Sequence, residues 1–240
     1  MPQTGTRLKP QPLYIVSDEH RFVYFIVQKA ACSSIKTALL PFFDLDTAPY
    51  ERTLRDGSRI LKIHGIFDGS EYQIRRARFV KRLDEGRYRD YFKFAFVRNP
   101  WDRLVSCHLN KFRENGPGLK IPDDVDVKLH VGMSFAEFVE AVHALPDESS
   151  NPHFRSQHTV FCPRGDGVVL ADFVGRFENL SEDFDVAMRQ IGVEGEIQLP
   201  HILRNKSREG RSYHEFYDDR LRKLVHERFS DDIEIFGYSF

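Results

Sequence analysis

The sequence predicts an α/β fold built on a mostly parallel sheet. Strand-like and helix-like segments alternate along the chain, and two apolar runs have the composition of buried parallel strands. These runs, 22–27 (FVYFIV) and 91–97 (YFKFAFV), are rich in aromatic and β-branched residues. The 240 residues suffice for one sizeable core, to which the 21 phenylalanines contribute.

A helix is predicted to follow each of the two strands. After the first strand comes a turn of small residues, and the helix from Ile35 to Leu40 ends at Pro41. After the second strand, Asn99 is predicted to be the helix N-cap and Pro100 the first helical residue. The apolar stripe that this second helix would bury comprises Trp101, Leu104, Val105, Leu109 and Phe112.

The rest of the chain continues the alternation. The predicted elements are a helix capped by Ser134, a third strand over 172–177, a helix over 181–191 and a terminal amphipathic helix within 217–229. No linker-like stretch divides these elements. The predicted organisation is therefore a flexible N-terminal arm over residues 1–12 and a single domain over 13–240.

Charge and cysteine content argue against several classes of protein. Lys and Arg total 35 against 36 Asp and Glu, and a formal charge of −1 argues against a surface that binds nucleic acid throughout. The three cysteines are widely spaced with no ligand pattern, so no metal site is predicted. With neither a signal peptide nor an apolar run long enough for an integral membrane segment, the sequence predicts a soluble, cytoplasmic protein, or a soluble domain cut from something longer.

The turn after the first strand, QKAACSS, has the features of a phosphate site. At such a turn, backbone N–H groups and a helix N-terminus face an anion. Lys29 supplies a positive charge, and Ala30 and Ala31 permit close approach to the backbone. Ser33 and Ser34 supply hydroxyl donors. The nucleotide-binding pattern GxxxxGK(S/T) is absent, and an ordinary strand-to-helix turn is the alternative.

An arginine at the end of the second strand indicates another anion contact. Arg98 can bind a phosphate through two hydrogen bonds, and the hydroxyl of Ser106, about two helical turns further on, adds a donor. The alternative is a surface arginine and an exposed serine. Because ligands of α/β proteins collect at the carboxyl ends of parallel strands, the two sites together predict one ligand with two separated anionic groups.

These residues lie in segments that resemble one family. The stretch YFIVQKAACSSIK resembles the 5′-phosphosulfate loop of the Golgi-type carbohydrate sulfotransferases, such as the chondroitin 4-O-sulfotransferases. The stretch FKFAFVRNPWDRLVSCHLNKF is similar to their 3′-phosphate signature. The likeness continues through 151–157, 172–184 and 231–238, so it spans about residues 22–238.

The resemblance implies a fold, a reaction and a co-substrate. The fold would be a P-loop-like three-layer fold with a central mostly parallel sheet. The reaction would be transfer of a sulfuryl group from 3′-phosphoadenosine 5′-phosphosulfate (PAPS) to a hydroxyl of a carbohydrate acceptor, without a metal. Two other functions stay open: a nucleotide kinase of related fold, and a non-catalytic nucleotide-sensing module.

The family positions that match this sequence imply a role for each site residue. Lys29 would contact the phosphosulfate and help to neutralise the departing oxygen, which makes it a catalytic residue. The 5′-phosphate would be held by the rest of the loop, namely Ala30, Ala31, Cys32, Ser33 and Ser34. Arg98 and Ser106 would bind the 3′-phosphate, and Lys36 would support the site.

The acceptor hydroxyl also needs a proton acceptor, and His64 is the predicted general base. It follows a short apolar segment, which predicts a position at another strand end, and related heparan-modifying enzymes place a catalytic histidine in the same interval. His153 is the rival candidate, and His158 is a weaker one. Cys32 is interpreted as a small packing residue, because in-line transfer needs no covalent intermediate.

Two basic segments remain. In the segment 203–212, Asn205, Lys206 and Ser207 resemble a family stretch and would contact the adenosine end of the cofactor, with a solvated loop as the alternative. The basic run from Arg75 to Arg82 would either meet an anionic glycan or form a solvated helix face.

Overall fold

The computed structural model describes residues 12–53, 57, 59–119, 127–193, 195, 197, 199–200 and 210–240. The predicted N-terminal arm, apart from residue 12, and the predicted contacts Asn205, Lys206 and Ser207 lie outside these residues. The chain folds as two compact units. Among the described residues, the sheet unit comprises those within 12–97 and 160–204, and the helical unit comprises those within 98–159 and 205–240.

The sheet unit contains the predicted mostly parallel sheet. The strands of the described residues are β1 (Leu13–Ser17), β2 (Phe22–Phe25), β3 (Glu51–Thr53), β4 (Arg59–Leu61), β5 (Gln73–Arg75), β6 (Phe92–Val97) and β7 (Phe173–Arg176). Five of them form one sheet in the order β5, β1, β2, β6, β7. β6 is parallel to both β2 and β7, whereas β1 is antiparallel to β2 and β5. β3 and β4 pair as a separate antiparallel ribbon.

Helices follow the strands in the predicted alternation. The helices of the described residues are α1 (Cys32–Leu39), α2 (Ile63–Phe67), α3 (Arg76–Asp84), α4 (Pro100–Lys111), α5 (Phe135–Ala144), α6 (His158–Phe161), α7 (Leu180–Ile191), α8 (Asp219–Arg228) and α9 (Ser230–Phe236). α1, α2, α3 and α7 belong to the sheet unit, and α4, α5, α8 and α9 to the helical unit. In the part of the chain that the structure describes, no helix is both long and apolar enough to cross a bilayer.

Aromatic rings fill the core of the sheet unit, as the phenylalanine content predicts. Tyr24 on β2 pairs in register with Phe94 on β6, and their rings stack with centroids 5.2 Å apart. Phe96 of β6 lies opposite Gly175 of β7, where a Cβ would stand 2.5 Å from the Phe96 ring. A glycine at this point therefore makes room for the aromatic side chain in the centre of the sheet.

The helical unit confirms the predicted caps and apolar stripe. Asn99 precedes α4 and its side chain accepts a hydrogen bond from the backbone N–H of Trp101, at 3.1 Å. The five predicted stripe residues, four in α4 and Phe112 at its C-cap, are all buried, and the polar residues of α4 from Asp102 to Ser106 are buried as well. Ser134 and Glu137 form a reciprocal capping box at the start of α5, which packs against Leu221 and Val225 of α8 within one apolar cluster.

Among the features that were not predicted from the sequence, two concern the main sheet and the division into units. The first is the pair of strands β1 and β5, which continue the sheet beyond β2. β5 contains the polar residues Gln73 and Arg75, so its hydrophobic pattern is too weak to indicate a strand. The second is the division at Val97–Arg98, where no glycine-rich or proline-rich linker marks a boundary. The assignment of 13–240 to a single domain stays a prediction.

Candidate functional site

The loop between β2 and α1 is held in an unusual backbone conformation. Lys29 has a φ of 68° and Ala31 a φ of 59°, so two residues that are not glycine occupy the left-handed region. Each such residue costs roughly 1–3 kcal/mol, and such conformations cluster at ligand sites. Alternation between left-handed and right-handed residues also turns backbone N–H groups inward to form anion-binding concavities.

Like α3 and α7, α1 has no side-chain cap at its N-terminus. Its N-cap residue is Ala31, whose methyl side chain makes no capping hydrogen bond, whereas Asn99 and Ser134 cap α4 and α5. An anion at such an end can accept hydrogen bonds from N–H groups of the first turn. The loop geometry thus agrees with the anion site that the sequence predicts here.

His64 lies at this loop. Its Nε2 atom is 3.0 Å from Oγ of Ser33, the second residue of α1. The predicted position at a strand end is only partly right: His64 is in the short helix α2, which follows β4 of the two-stranded ribbon and not a strand of the main sheet. A Cβ on Gly65 would stand 3.0 Å from the ring of Tyr50. Because glycine has no Cβ, α2 can pack closely against that ring.

Lys36 connects α1 with the far end of α2. Its buried Nζ lies 3.5 Å from Oε1 of Gln73 and 5.6 Å from the ring centre of Phe67. Gln73 in turn donates to Asp68, the residue that follows α2, at 3.0 Å. Burial lowers the pKa of Lys36, and the nearby Cys32 and Asp68 oppose that shift. This arrangement supports the interpretation of Lys36 as a supporting residue.

Cys32 packs within the loop. It is buried, and its Sγ donates to Oε1 of Gln28 at 3.3 Å. The thiol therefore bridges the first residue of the turn and the first residue of α1, as the interpretation of a packing residue requires.

We expect Cys32→Ala to keep turnover and donor affinity within about twofold of the parent protein. The change removes one weak hydrogen bond and a small volume, at a cost in stability of about 1 kcal/mol. Sulfate-transfer rates and thermal unfolding of the two proteins would be compared. A variant that unfolds at a normal temperature but has lost turnover would show that the thiol takes part in the chemistry.

The predicted second site lies in the helical unit. Arg98 and Ser106 are only 6% and 5% exposed, which argues against a surface arginine and an exposed serine. The Nε and Nη2 atoms of Arg98 each lie 2.8 Å from Oδ2 of Asp102. Asp102 was not predicted; it lies in the first turn of α4, four residues after Arg98, which precedes the helix.

The rival histidines also lie in the helical unit. Nδ1 of His153 is 2.8 Å from Oδ1 of Asn151. Nδ1 of His158 is 2.8 Å from the fully buried Asp232. Burial acts to lower the pKa of His158, but the hydrogen bond and charge of Asp232 outweigh it, so the pKa is raised. The structure thus brings His64 to the β2–α1 loop and holds His158 against Asp232 by a hydrogen bond.

The basic run forms the predicted helix. Phe79 and Leu83 of α3 are buried, whereas Arg78 and Lys81 are exposed. This distribution agrees with a solvated helix face, and the contact with an anionic glycan stays a prediction. Within the described ranges, no group of three or more His, Cys, Asp or Glu side chains could hold a metal ion.

Comparison with known proteins gives the class of this chain. The model of the sulfotransferase family matches residues 12–239, so the chain belongs to that family. Its relatives include carbohydrate sulfotransferase 12 of Xenopus laevis, with 26% identity over 93% of this chain and 59% of the relative. Carbohydrate sulfotransferase 11 of Rattus norvegicus is 23% identical over 94% of this chain and 66% of the relative. No solved structure gives a significant match.

The comparisons correct one prediction. The chain spans about three-fifths of the length of the first relatives that it matches. These relatives are carbohydrate sulfotransferases, which are Golgi-resident enzymes, so the prediction of a cytoplasmic location is wrong. That prediction rested on the composition of the first residues and on the length of the apolar runs, which do not decide where a protein resides.

Proposed function

We propose that this protein transfers a sulfuryl group from PAPS to a hydroxyl group of a carbohydrate. The family match over residues 12–239 and the names of the relatives support this reaction. The observation that carries the proposal is the contact of His64 with Ser33, because the residue that we propose as general base lies within hydrogen-bond distance of the β2–α1 loop, which also carries Lys29. We further propose that 13–240 act as a single catalytic domain with a P-loop-like fold.

The donor would be held by the residues that match the family signatures. Lys29 would contact the phosphosulfate, and the loop residues Ala30, Ala31, Cys32, Ser33 and Ser34 would hold the 5′-phosphate. The left-handed residues of the loop and the N-terminus of α1 support this assignment, since both favour an anion. Arg98 and Ser106 would bind the 3′-phosphate, with the guanidinium oriented by Asp102.

The reaction would proceed by in-line displacement at sulfur. The acceptor oxygen forms a bond to sulfur while the bond from sulfur to the 5′-phosphate oxygen breaks, and the acceptor proton passes to His64. Adenosine 3′,5′-bisphosphate leaves with the electron pair of the broken bond. Lys29 would stabilise the charge that develops on the departing oxygen, as a positioned cation does in phosphoryl transfer.

Transfer of labelled sulfate from PAPS to a panel of glycans and glycolipids tests the reaction directly. Calorimetry with adenosine 3′,5′-bisphosphate, compared with ATP plus magnesium, tests the donor class. We expect tight binding of the bisphosphate and labelled product from at least one acceptor. Binding of ATP with magnesium in preference would indicate a kinase. Tight bisphosphate binding with no transfer to any acceptor would indicate a nucleotide-sensing module.

A further inference from the structure

A buried glutamine holds the main chain of Arg98. Oε1 of Gln157 accepts a hydrogen bond from the backbone N–H of Arg98 at 2.9 Å, and Nε2 of Gln157 donates to the carbonyl oxygen of Arg98 at 2.8 Å. One side-chain amide thus satisfies both backbone groups of a single residue, as a neighbouring strand would. Gln157 is fully buried, so solvent does not compete for these bonds.

Gln157 is itself anchored by a buried carboxylate. Its backbone N–H donates to Oδ2 of Asp232 at 2.7 Å, and the next N–H, that of His158, donates to Oδ1 at 2.9 Å. Asp232 is fully buried and also lies 2.8 Å from Nδ1 of His158. A buried carboxylate with this set of partners is a rigid anchor, because moving any partner leaves a charged oxygen unsatisfied.

The two ends of Arg98 are therefore fixed by different residues. Gln157 fixes the backbone, and Asp102 fixes the guanidinium through Nε and Nη2. A cation held at both ends is oriented before a ligand arrives, so binding costs little conformational entropy.

We infer that Gln157 is a positioning residue for binding of the 3′-phosphate. It does not contact the ligand but holds Arg98 in the position from which Arg98 binds the 3′-phosphate. This inference rests on the proposed function, in which Arg98 contacts the 3′-phosphate. Loss of the Gln157 amide leaves the backbone N–H and carbonyl of Arg98 without these bonds and lets the residue shift. The affinity should decrease for ligands that carry a 3′-phosphate, because other residues make the contacts with the 5′-phosphate.

The test is the selectivity between two nucleotides. Calorimetry measures the affinity for adenosine 3′,5′-bisphosphate and for adenosine 5′-phosphate, in the parent protein and in Gln157→Met, which keeps the volume and removes the amide. We expect the bisphosphate affinity to fall about tenfold or more and the 5′-phosphate affinity to change less than about twofold. A purely structural role of Gln157 would lower both affinities equally and leave their ratio unchanged.

Ser156→Ala is the matched control. Ser156 is the adjacent residue and is also buried, but its hydroxyl bonds to Asp147 and Arg228 and not to Arg98. Ser156→Ala should lower the thermal stability and leave unchanged the ratio of the affinities for the bisphosphate and the 5′-phosphate. The inference is overturned if Gln157→Met keeps the parental ratio, or if Ser156→Ala changes it as much.

A gentler variant keeps the inference testable if Gln157→Met fails to fold. Gln157→Asn retains an amide but shortens its reach by one methylene, and the same fall in selectivity is expected. A parental ratio in a folded Gln157→Asn would then overturn the inference. If the parent protein itself shows no preference for the bisphosphate, the assignment of Arg98 to the 3′-phosphate fails, and the inference about Gln157 fails with it. A parental preference that Gln157→Met leaves unchanged overturns the inference about Gln157 alone.

Discussion

His64→Ala is expected to lower kcat by about 10²–10⁴-fold, the usual contribution of a positioned general base, while the affinity for adenosine 3′,5′-bisphosphate changes little. The base acts on the acceptor hydroxyl, whereas donor binding is assigned to other side chains. The Ser33 contact at 3.0 Å is lost in this variant, so a small effect on donor affinity is also expected. Transfer of labelled sulfate and calorimetry measure the two quantities separately.

His64→Gln refines this result. The glutamine amide reaches the position of Nε2 and can keep a hydrogen bond to Ser33, but it cannot accept the acceptor proton at neutral pH. Turnover should therefore remain as low as in His64→Ala, while any loss of donor affinity should be restored. His153→Ala serves as the comparison, and it should keep most turnover. Normal turnover in His64→Ala together with loss in His153→Ala would transfer the role of base to His153.

Lys29→Met is expected to lower kcat by roughly 10²–10³-fold, because it removes the cation that stabilises the departing oxygen. Methionine has nearly the length of lysine and, like it, a Cβ, so the left-handed backbone at φ 68° carries the same strain in both proteins. The change thus isolates the charge. Thermal unfolding should show little difference between the two proteins.

The control for Lys29→Met is Lys223→Met, which removes a lysine of α8 that is 77% exposed. This variant should keep the parental kcat. Lys29→Arg, which retains a cation of different shape, should recover part of the lost rate. Parental turnover in Lys29→Met would contradict the assignment of Lys29 to the departing oxygen and would leave charge stabilisation to another residue.

Local sequence patterns predicted much of the fold and both segments of the candidate site. The strand over Phe22–Phe25, the cap at Asn99 and the capping box at Ser134 follow from neighbouring residues, which fix backbone hydrogen bonds over a few positions. The β2–α1 loop was predicted as an anion site for the same reason, because its lysine and its small residues directly follow a segment with a clear strand pattern. The strand β5 was missed, because three residues with two polar side chains carry little periodic signal.

The parts that sequence patterns did not predict depend on contacts between distant residues. Ser33 and His64 are 31 positions apart, and Arg98 and Gln157 are 59 positions apart. No local propensity encodes such pairs, because the packing of whole elements decides which side chains meet.

The sequence by itself determined the class of this protein. The strand-to-helix turn with Lys29, and the run through Arg98 to Ser106, are contiguous, so their chemistry is readable without coordinates. The tertiary structure decided which histidine reaches the loop, and that Arg98 is buried and held by Asp102 and Gln157. The physical reason is that the type of a residue determines the chemistry of its side chain. Long-range packing and burial determine which other residues that side chain contacts.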